Sequence, residues 1–227
     1  MMNVNEFWEY SNRPENADRN LDLLHGEVIE WEFPSRRHGF VCAQVGCLLG
    51  IYARQIRYGY AATNNVGVIL PNPPASVLGP DVTYFTAAIA DGKFFTGWDE
   101  SLPVLAVEVH SLNHDERLER MKILEYLRHD IPLVWYIDCE EKTVSIYRPN
   151  GEVSIHGVED SLALKLVPDS DAIWRDRKIS DLQFHVGDLF LLPAERPKQS
   201  ESASYRQLRN EVNFYPTMGN PAAAKND

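Results

Sequence analysis

One segment, Val104–Val109, limits the folds open to this chain more than any other, because it is an almost unbroken apolar run rich in valine. A strand with one face in water alternates apolar and polar residues, whereas a continuous apolar run is typical of a central strand covered on both faces. A single acid, Glu108, interrupts the run near its end. The run therefore predicts a sheet with layers packed on both sides, as in an α/β domain.

Two helices and a series of strands can be placed around this run. Ser35 is a candidate N-cap, and the apolar residues at helical spacing after it predict a helix of about five to six turns that ends near Gly59. The charged segment Asp115–His129 predicts a second helix. The predicted strands share β-branched or aromatic runs bounded by turn residues: two within Leu21–Phe33 that meet at His25-Gly26, then Val66–Leu70, Val82–Phe85, Val104–Val109, the antiparallel pair Leu133–Asp138 and Thr143–Tyr147, and one more within Ile155–Leu166. The order β-β-α-β-β-β-α-β-β predicts an α/β domain with a mixed sheet.

The two ends of the 227-residue chain differ from its middle. Residues 1–20 are polar and are predicted to be a lead-in, residues 21–192 to be the packed domain, and residues 193–227 to be a mostly disordered tail rich in Pro, Ser, Asn and Ala. Residues 91–102 are predicted to be a polar loop. The longest apolar stretches fall well short of the roughly 18 residues of a membrane-crossing helix, and the N-terminus has no apolar segment suited to a signal peptide. A soluble, cytoplasmic protein is expected.

The charge of the chain bears on its partners. With 33 acidic and 22 basic residues, the net charge is −11. This counts against a simple DNA-binding protein, because affinity for a duplex comes largely from Lys and Arg that neutralise phosphates. A nuclease is still compatible with this charge if basic residues gather on one face, and the candidates for such a face are Arg36, Arg37, Arg54, Arg57, Arg117, Arg120, Lys122 and Arg128.

The cysteines and a histidine pair give little sign of zinc. Cys42, Cys47 and Cys139 are odd in number and form no C-x-x-C pair, and the first two fall on different faces of a predicted helix, so we expect buried free thiols. His110 and His114 are four residues apart, a spacing that binds zinc on a helix. They lie at the exit of a predicted strand, however, so a zinc pair is not favoured.

Three polar residues are distinguished by where they fall. Asp81 follows Pro80 at the start of a predicted strand, Glu108 lies near the end of the most apolar strand, and Lys122 lies on the helix that follows. An ionised acid in an apolar strand is costly unless it is paired or binds a metal. Two carboxylates at adjacent strand ends suit magnesium, and a nearby lysine would offset the negative charge that develops during phosphodiester hydrolysis.

Each of these residues also has a structural explanation. Asp81 could cap a turn, Glu108 could pair with an arginine, and Lys122 could be a solvated residue of a charged helix. His38, just inside a helix start, is more typical of a surface or capping histidine than of a substrate contact. Tyr126, one turn beyond Lys122, fits packing as well as function.

The same residues belong to a longer pattern that covers about residues 20–192. Its segments are Leu21–Val28, Pro34-Ser35 with His38, Pro80–Val82, Val107–Ser111, Lys122 with Tyr126, and Val134–Asp138. In order and spacing, these segments resemble the Uma-two family of restriction-endonuclease-like proteins, within the PD-(D/E)XK nuclease superfamily. The resemblance implies a restriction-endonuclease-like mixed β-sheet flanked by helices. It also implies an endonuclease that hydrolyses phosphodiester bonds of DNA with magnesium, or with manganese as an alternative.

The resemblance assigns roles to individual residues. It implies that Asp81 and Glu108 bind the metal and that Lys122, on the helix rather than the strand, is the catalytic lysine. His110 occupies the strand position where the wider superfamily keeps that lysine. Asp22 stands where the family usually has a glutamate before its turn glycine. Asp22, His38, His110 and Tyr126 are therefore the accessory candidates.

One departure from the family pattern supports a different hypothesis. Leu118 stands where members often carry an aspartate, one turn before the lysine. Together with the acidic charge, this favours a catalytically inactive module of the same fold that binds nucleic acid or another protein. In either case a homodimer is an expected assembly, because symmetric pairs are the commonest oligomers.

Overall fold

The computed structural model describes residues 1–71, 73–86, 98, 101–110, 115–167, 173–174 and 177–192, with the backbone alone for 173–174 and 177–178. Residues Met1–Phe190 form one compact unit, and Leu191–Asp227 form a second, of which residues 191–192 are described. Nearly all of the predicted loop 91–102 and the whole of the predicted tail 193–227 lie outside the described residues.

The described residues form three α-helices, two short 3-10 helices (Pro14–Asn16 and Val186–Leu189) and fourteen strands. The helices are α1 (Val4–Ser11), α2 (Arg36–Ile56) and α3 (Glu116–Arg128). The strands are β1 (Asn20–Leu24), β2 (Glu27–Trp31), β3 (Tyr60–Thr63), β4 (Val68–Leu70), β5 (Ser76–Leu78), β6 (Val82–Phe85), β7 (Leu105–Val109), β8 (Leu133–Asp138), β9 (Thr143–Tyr147), β10 (Val153–His156), β11 (Ser161–Leu164), β12 (Ile173–Trp174), β13 (Arg177–Lys178) and β14 (Leu182–His185).

The main sheet has six strands in the order β10-β9-β8-β7-β6-β3. The β7–β8 pair is parallel and is connected through α3, while the other pairs are antiparallel, so the predicted mixed sheet is confirmed. All five residues of β7 are buried. This is the central strand that the apolar run of Val104–Val109 predicted.

Both faces of this sheet are covered. On one face, α2 buries Val41, Val45 and Leu49 against strand residues such as Val107 and Trp135. On the other face lie α3 and a second sheet of order β2-β1-β5-β4. The layers on both faces explain why β7 contains almost no polar residue.

The local signals for the helix and hairpin termini are confirmed. Ser35, the predicted N-cap, accepts a hydrogen bond from the His38 N–H. Asp115, which was not predicted as a cap, accepts one from the Arg117 N–H at the start of α3. Strands β1 and β2 pair in antiparallel fashion across His25 and Gly26, which have φ of 51° and 79°. Two consecutive positive φ values suit a two-residue hairpin turn.

Several elements differ from the expectation. The lead-in contains α1, whose Phe7 is buried beside Leu23 and Val77. Strands β3 and β5 were not predicted, since runs of three or four residues carry little periodicity. The single strand expected within Ile155–Leu166 is replaced by β10 and β11.

Helix α2 also corrects the expectation that nothing resembles a membrane span. Among the described helices it alone is long and apolar enough to cross a membrane. Its buried side chains pack against the main sheet instead, as in the core helix of a folded domain.

Candidate active site

Asp81 and Glu108 are brought together by the pairing of β6 with β7. Val82 pairs with Val107 in this antiparallel ladder, so Asp81, one residue before β6, is next to Glu108 in register. Oδ2 of Asp81 accepts a hydrogen bond from the Val109 N–H at 2.7 Å. This bond across the strand pair fixes the Asp81 carboxylate against the end of β7, and no local backbone N–H of the described residues donates to it.

Helix α3 supplies two partners for Glu108. Lys122 Nζ lies 2.9 Å from Oε1 and 3.0 Å from Oε2 of Glu108. The Tyr126 hydroxyl, one turn further along α3, donates to Oε1 at 2.6 Å. The prediction that Lys122 approaches Glu108 is confirmed, but the expected open cleft is replaced by a buried contact, since the side chain of Lys122 is 6% exposed. Glu108 is therefore paired with a lysine and not with an arginine, the alternative that the sequence left open.

Asp22 joins the same cluster from β1. Its Oδ2 lies 3.1 Å from Lys122 Nζ and accepts from Trp31 Nε1 at 2.8 Å, while its Oδ1 accepts from the Gly79 N–H at 2.7 Å. Side chains of Asp22 and Lys122 are 4% and 6% exposed. An acid that the sequence left as an accessory candidate is thus a buried neighbour of the central lysine.

The ammonium group of Lys122 is fully engaged within the protein. An ammonium has three N–H donors. In this structure they face Asp22, Glu108 and the Gly79 carbonyl oxygen, the last at 3.1 Å. Lys122 therefore belongs to a buried network. The hypotheses that Lys122 lies on a solvated helix face and that it belongs to a basic surface patch are both wrong.

Burial and charge shift the titration of this cluster. Burial raises the pKa of Glu108 to about 8; the Asp81 carboxylate adds to the shift, and Lys122 opposes it. Burial also favours the neutral amine of Lys122, but the carboxylates of Asp22 and Glu108 outweigh it and raise its pKa. The pKa of Tyr126 is raised well above its usual value by burial and by Glu108. The phenol thus stays a proton donor.

A second group of side chains approaches Asp81 from α2. His38 Nε2 lies 3.2 Å from Oδ2 of Asp81, and the Cys42 sulfur lies 3.4 Å from His38 Nδ1. The side chain of His38 is 6% exposed, so the surface-histidine interpretation is wrong. Burial raises the pKa of the Cys42 thiol, and the Asp81 charge adds to the effect. Asp81 is therefore the meeting point of two clusters.

The cysteines differ from one another more than their sequence context indicated. Cys139 is buried, Cys42 is partly buried and Cys47 is exposed. The expectation of buried free thiols is therefore wrong for Cys47.

His110 is held in a separate network. Its Nδ1 lies 2.8 Å from Oε2 of Glu119 on α3, and the same oxygen accepts from the Tyr136 hydroxyl at 2.8 Å. His110 therefore does not replace the lysine beside Glu108. Its suggested zinc partner, His114, lies outside the described residues.

Two contacts were not predicted, Asp22 with Trp31 and His38 with Cys42, although the sequence carries a signal for each. Asp22 pairs with Ile29 in the hairpin, which places Trp31 on the same face as Asp22. His38 and Cys42 are four residues apart on a predicted helix, so they share one face. Leu118, the departure from the family pattern, packs partly buried beside the core of α3 and the second sheet.

Comparison with known proteins agrees with this architecture. The model of the family described as "Uma2: Putative restriction endonuclease" matches residues 6–173. The crystal structure of "a putative nuclease belonging to DUF820 from Anabaena variabilis ATCC 29413" is similar to this chain, with a TM-score of 0.63 and 21% identity over 84% of this chain and 98% of that one. At this identity the likeness concerns the fold. No curated protein matches the chain.

Proposed function

The chain belongs to the Uma2 family of restriction-endonuclease-like proteins, and on that basis we propose that it is a magnesium-dependent endonuclease that cleaves DNA. Family and fold indicate a nuclease. The identity of the metal ion, the DNA substrate and the catalytic residues are what we propose here. In this proposal Asp81 and Glu108 bind the metal. Lys122, Tyr126 and Asp22 position these ligands and balance their charge.

One observation supports the proposal above the others, namely the charge of the buried cluster. Two carboxylates, Asp22 and Glu108, contact the ammonium of Lys122, and the charge of a third, Asp81, also acts on it. Burying an uncompensated carboxylate is costly, and the raised pKa of Glu108 expresses that cost. A divalent cation would relieve the excess negative charge.

The donor atoms fit magnesium. Magnesium prefers oxygen ligands, is commonly bound by one or two carboxylates, and keeps several waters. Oδ1 of Asp81 accepts no hydrogen bond from the described residues, and Oε2 of Glu108 accepts one, from Lys122. Each oxygen therefore keeps a lone pair for a cation. Bound there, magnesium would supply Lewis-acid activation of the scissile phosphate and of the attacking water.

The side chains around the carboxylates orient them and balance charge. Lys122 and Tyr126 fix both oxygens of Glu108, and the Val109 N–H and His38 fix Oδ2 of Asp81. Groups held in place in this way need little reorganisation as charge develops on the phosphate. Lys122 can reach a substrate only by exchanging one of its three present acceptors, so its main proposed role is to balance charge.

Cleavage assays test the proposal. Purified protein is expected to cut plasmid or single-stranded DNA with magnesium or manganese, and a chelator is expected to abolish cutting. Asp81→Asn is expected to lower the rate about 100-fold or more, the scale of losing one electrostatic group. Glu140→Gln, which alters an exposed acid paired with Arg37, is the matched control and should cut normally.

Two outcomes would contradict the nuclease. One is no cleavage of any nucleic acid with either ion, and the other is an Asp81→Asn variant as active as the wild type. An inactive module is the second candidate, and the full engagement of Lys122 by internal acceptors favours it. Binding of DNA without cleavage would then be the expected result.

A further inference from the structure

The group formed by His38, Cys42 and Asp81 has a chemistry that the carboxylate cluster lacks. His38 and Cys42 lie one turn apart on α2, and Asp81 precedes β6. The imidazole lies between the other two, 3.4 Å from the sulfur and 3.2 Å from the carboxylate. A nitrogen, a sulfur and an oxygen that can each ligate a metal therefore converge at one place.

We propose that these three side chains form a binding site for a thiophilic divalent transition-metal ion, with Zn²⁺ as the ion that suits the donor set best. Their ligand atoms all lie within 4.8 Å of one another. In the described parts of the chain, no other trio of His, Cys, Asp or Glu meets this condition. Imidazole, thiolate and carboxylate are the usual ligands of zinc, whereas magnesium and calcium take oxygen ligands.

The three ligand atoms lie close to, but not yet at, the spacing of ligands around one zinc ion. Bonds to zinc of about 2.0–2.3 Å place neighbouring ligand atoms of a tetrahedral site roughly 3.3–3.8 Å apart. The 3.2 Å contact of His38 Nε2 with Asp81 and the 3.4 Å contact of His38 Nδ1 with Cys42 are near this range, but they use different ring nitrogens, so one of them is a distance between ligand atoms and the third ligand closes from within 4.8 Å. Because an imidazole gives one nitrogen to an ion, binding replaces one of the two present contacts of the His38 ring. Three protein ligands leave a fourth position for water.

Metal binding at this site removes the proton of the Cys42 thiol. The Cys42 sulfur lies 3.4 Å from His38 Nδ1. The thiolate is the form that ligates a metal. The sulfur–metal bond therefore forms as the S–H bond breaks and one proton passes to solvent.

The site shares Asp81 with the proposed magnesium site but does not depend on nuclease activity. Metal binding can be measured directly, so an inactive enzyme and an absent zinc site give different results. Zinc seated at Asp81 would draw that carboxylate away from Glu108. This consequence, unlike the site itself, rests on the proposed function.

Cobalt spectroscopy on the tag-free, full-length protein, stripped of metal with a chelator, tests the ligand set. The wild type is expected to bind one Co²⁺ with a thiolate-to-cobalt charge-transfer band that Zn²⁺ displaces. Cys42→Ser should lose the band and bind zinc about 100-fold more weakly or worse, since even loss of a supporting residue costs about 10–100-fold. Cys47→Ser, on the same helix and exposed, is the matched control and should keep both.

Alkylation of the unmodified wild type gives a second measurement that needs no variant. Zinc is expected to slow alkylation of Cys42 at least tenfold and to leave the exposed Cys47 unaffected. The proposal is overturned if the wild type shows no thiolate band, if Cys42→Ser keeps it, if Cys47→Ser loses it, or if zinc fails to protect Cys42.

Discussion

The hydroxyl of Tyr126 donates to Oε1 of Glu108 at 2.6 Å, and both side chains are buried. A buried donor or acceptor that loses its partner costs about 1–3 kcal/mol. The bond joins the helix that carries Lys122 to the central strand of the sheet. It therefore gives Tyr126 a role in holding the Glu108 carboxylate that packing alone does not explain.

Removing this hydroxyl is expected to impair the site and the fold together. Tyr126→Phe should lower the free energy of unfolding by about 1–3 kcal/mol, because Glu108 loses a buried donor. Cleavage should also fall, since the carboxylate is less well held. Tyr52→Phe is the control: it loses a hydroxyl bond to the neutral Ser180 carbonyl, on the opposite face of the sheet. Unchanged stability in Tyr126→Phe, measured by denaturant unfolding, would contradict this.

The raised pKa of Glu108 predicts a pH-dependent difference between the wild type and Glu108→Gln. Between the ordinary carboxyl value of 4.5 and about 8, the folded protein holds a proton that the unfolded chain has released. Rising pH across this window therefore lowers the stability of the wild type. Glu108→Gln has no such proton, so its advantage in thermal midpoint should be small near pH 5 and grow toward pH 8. A constant difference across that range would refute the expectation.

Glu108→Gln is also expected to separate stability from activity. The neutral amide removes one excess negative charge from the buried cluster, so the variant should be at least as stable as the wild type at pH 8. Its magnesium-dependent cleavage should still fall about 100-fold or more, because a metal ligand is lost. Full activity with the amide would remove Glu108 from the proposed site.

Loss of the central cation is expected to damage the fold itself. Lys122→Met leaves Asp22 and Glu108 buried without their counter-charge, so unfolding should become easier by about 3–5 kcal/mol. Lys142→Met, at an exposed turn, should change stability by no more than about 0.5 kcal/mol. Adding Glu108→Gln to Lys122→Met should recover part of the loss, by about 0.5–3 kcal/mol. Strictly additive effects in denaturant unfolding would argue against the pairing.

The network around Glu119 is expected to matter for stability and not for cleavage. Tyr136→Phe removes a hydroxyl that donates to Glu119 at 2.8 Å, which should lower the free energy of unfolding by about 1.5–3 kcal/mol. The carboxylates at Asp81 and Glu108 keep their own partners. Cleavage per folded molecule should therefore match the wild type. A cleavage defect in a folded Tyr136→Phe protein would connect the two networks.

Local patterns accounted for much of the architecture. The apolar run at β7 predicted a strand covered on both faces, and the cap at Ser35 predicted where α2 begins. The hairpin turn at His25-Gly26 followed from turn chemistry. These features depend on neighbouring residues, which is why they can be read along the chain. Strands β3 and β5 were missed because three or four residues carry too little periodicity.

The sequence by itself determined where the polar residues of the candidate site lie along the elements: Asp81 entering a strand, Glu108 inside an apolar run and Lys122 on the next helix. Only the tertiary structure decided their partners. Asp22 meets Lys122 across 100 residues of chain, and Asp81 meets His38 across 43, because sheets and helices packed on both sides of β7 bring them together. Periodicity reports which side chains face the core. It does not report which of them meet there, since contact between distant residues depends on how whole elements pack.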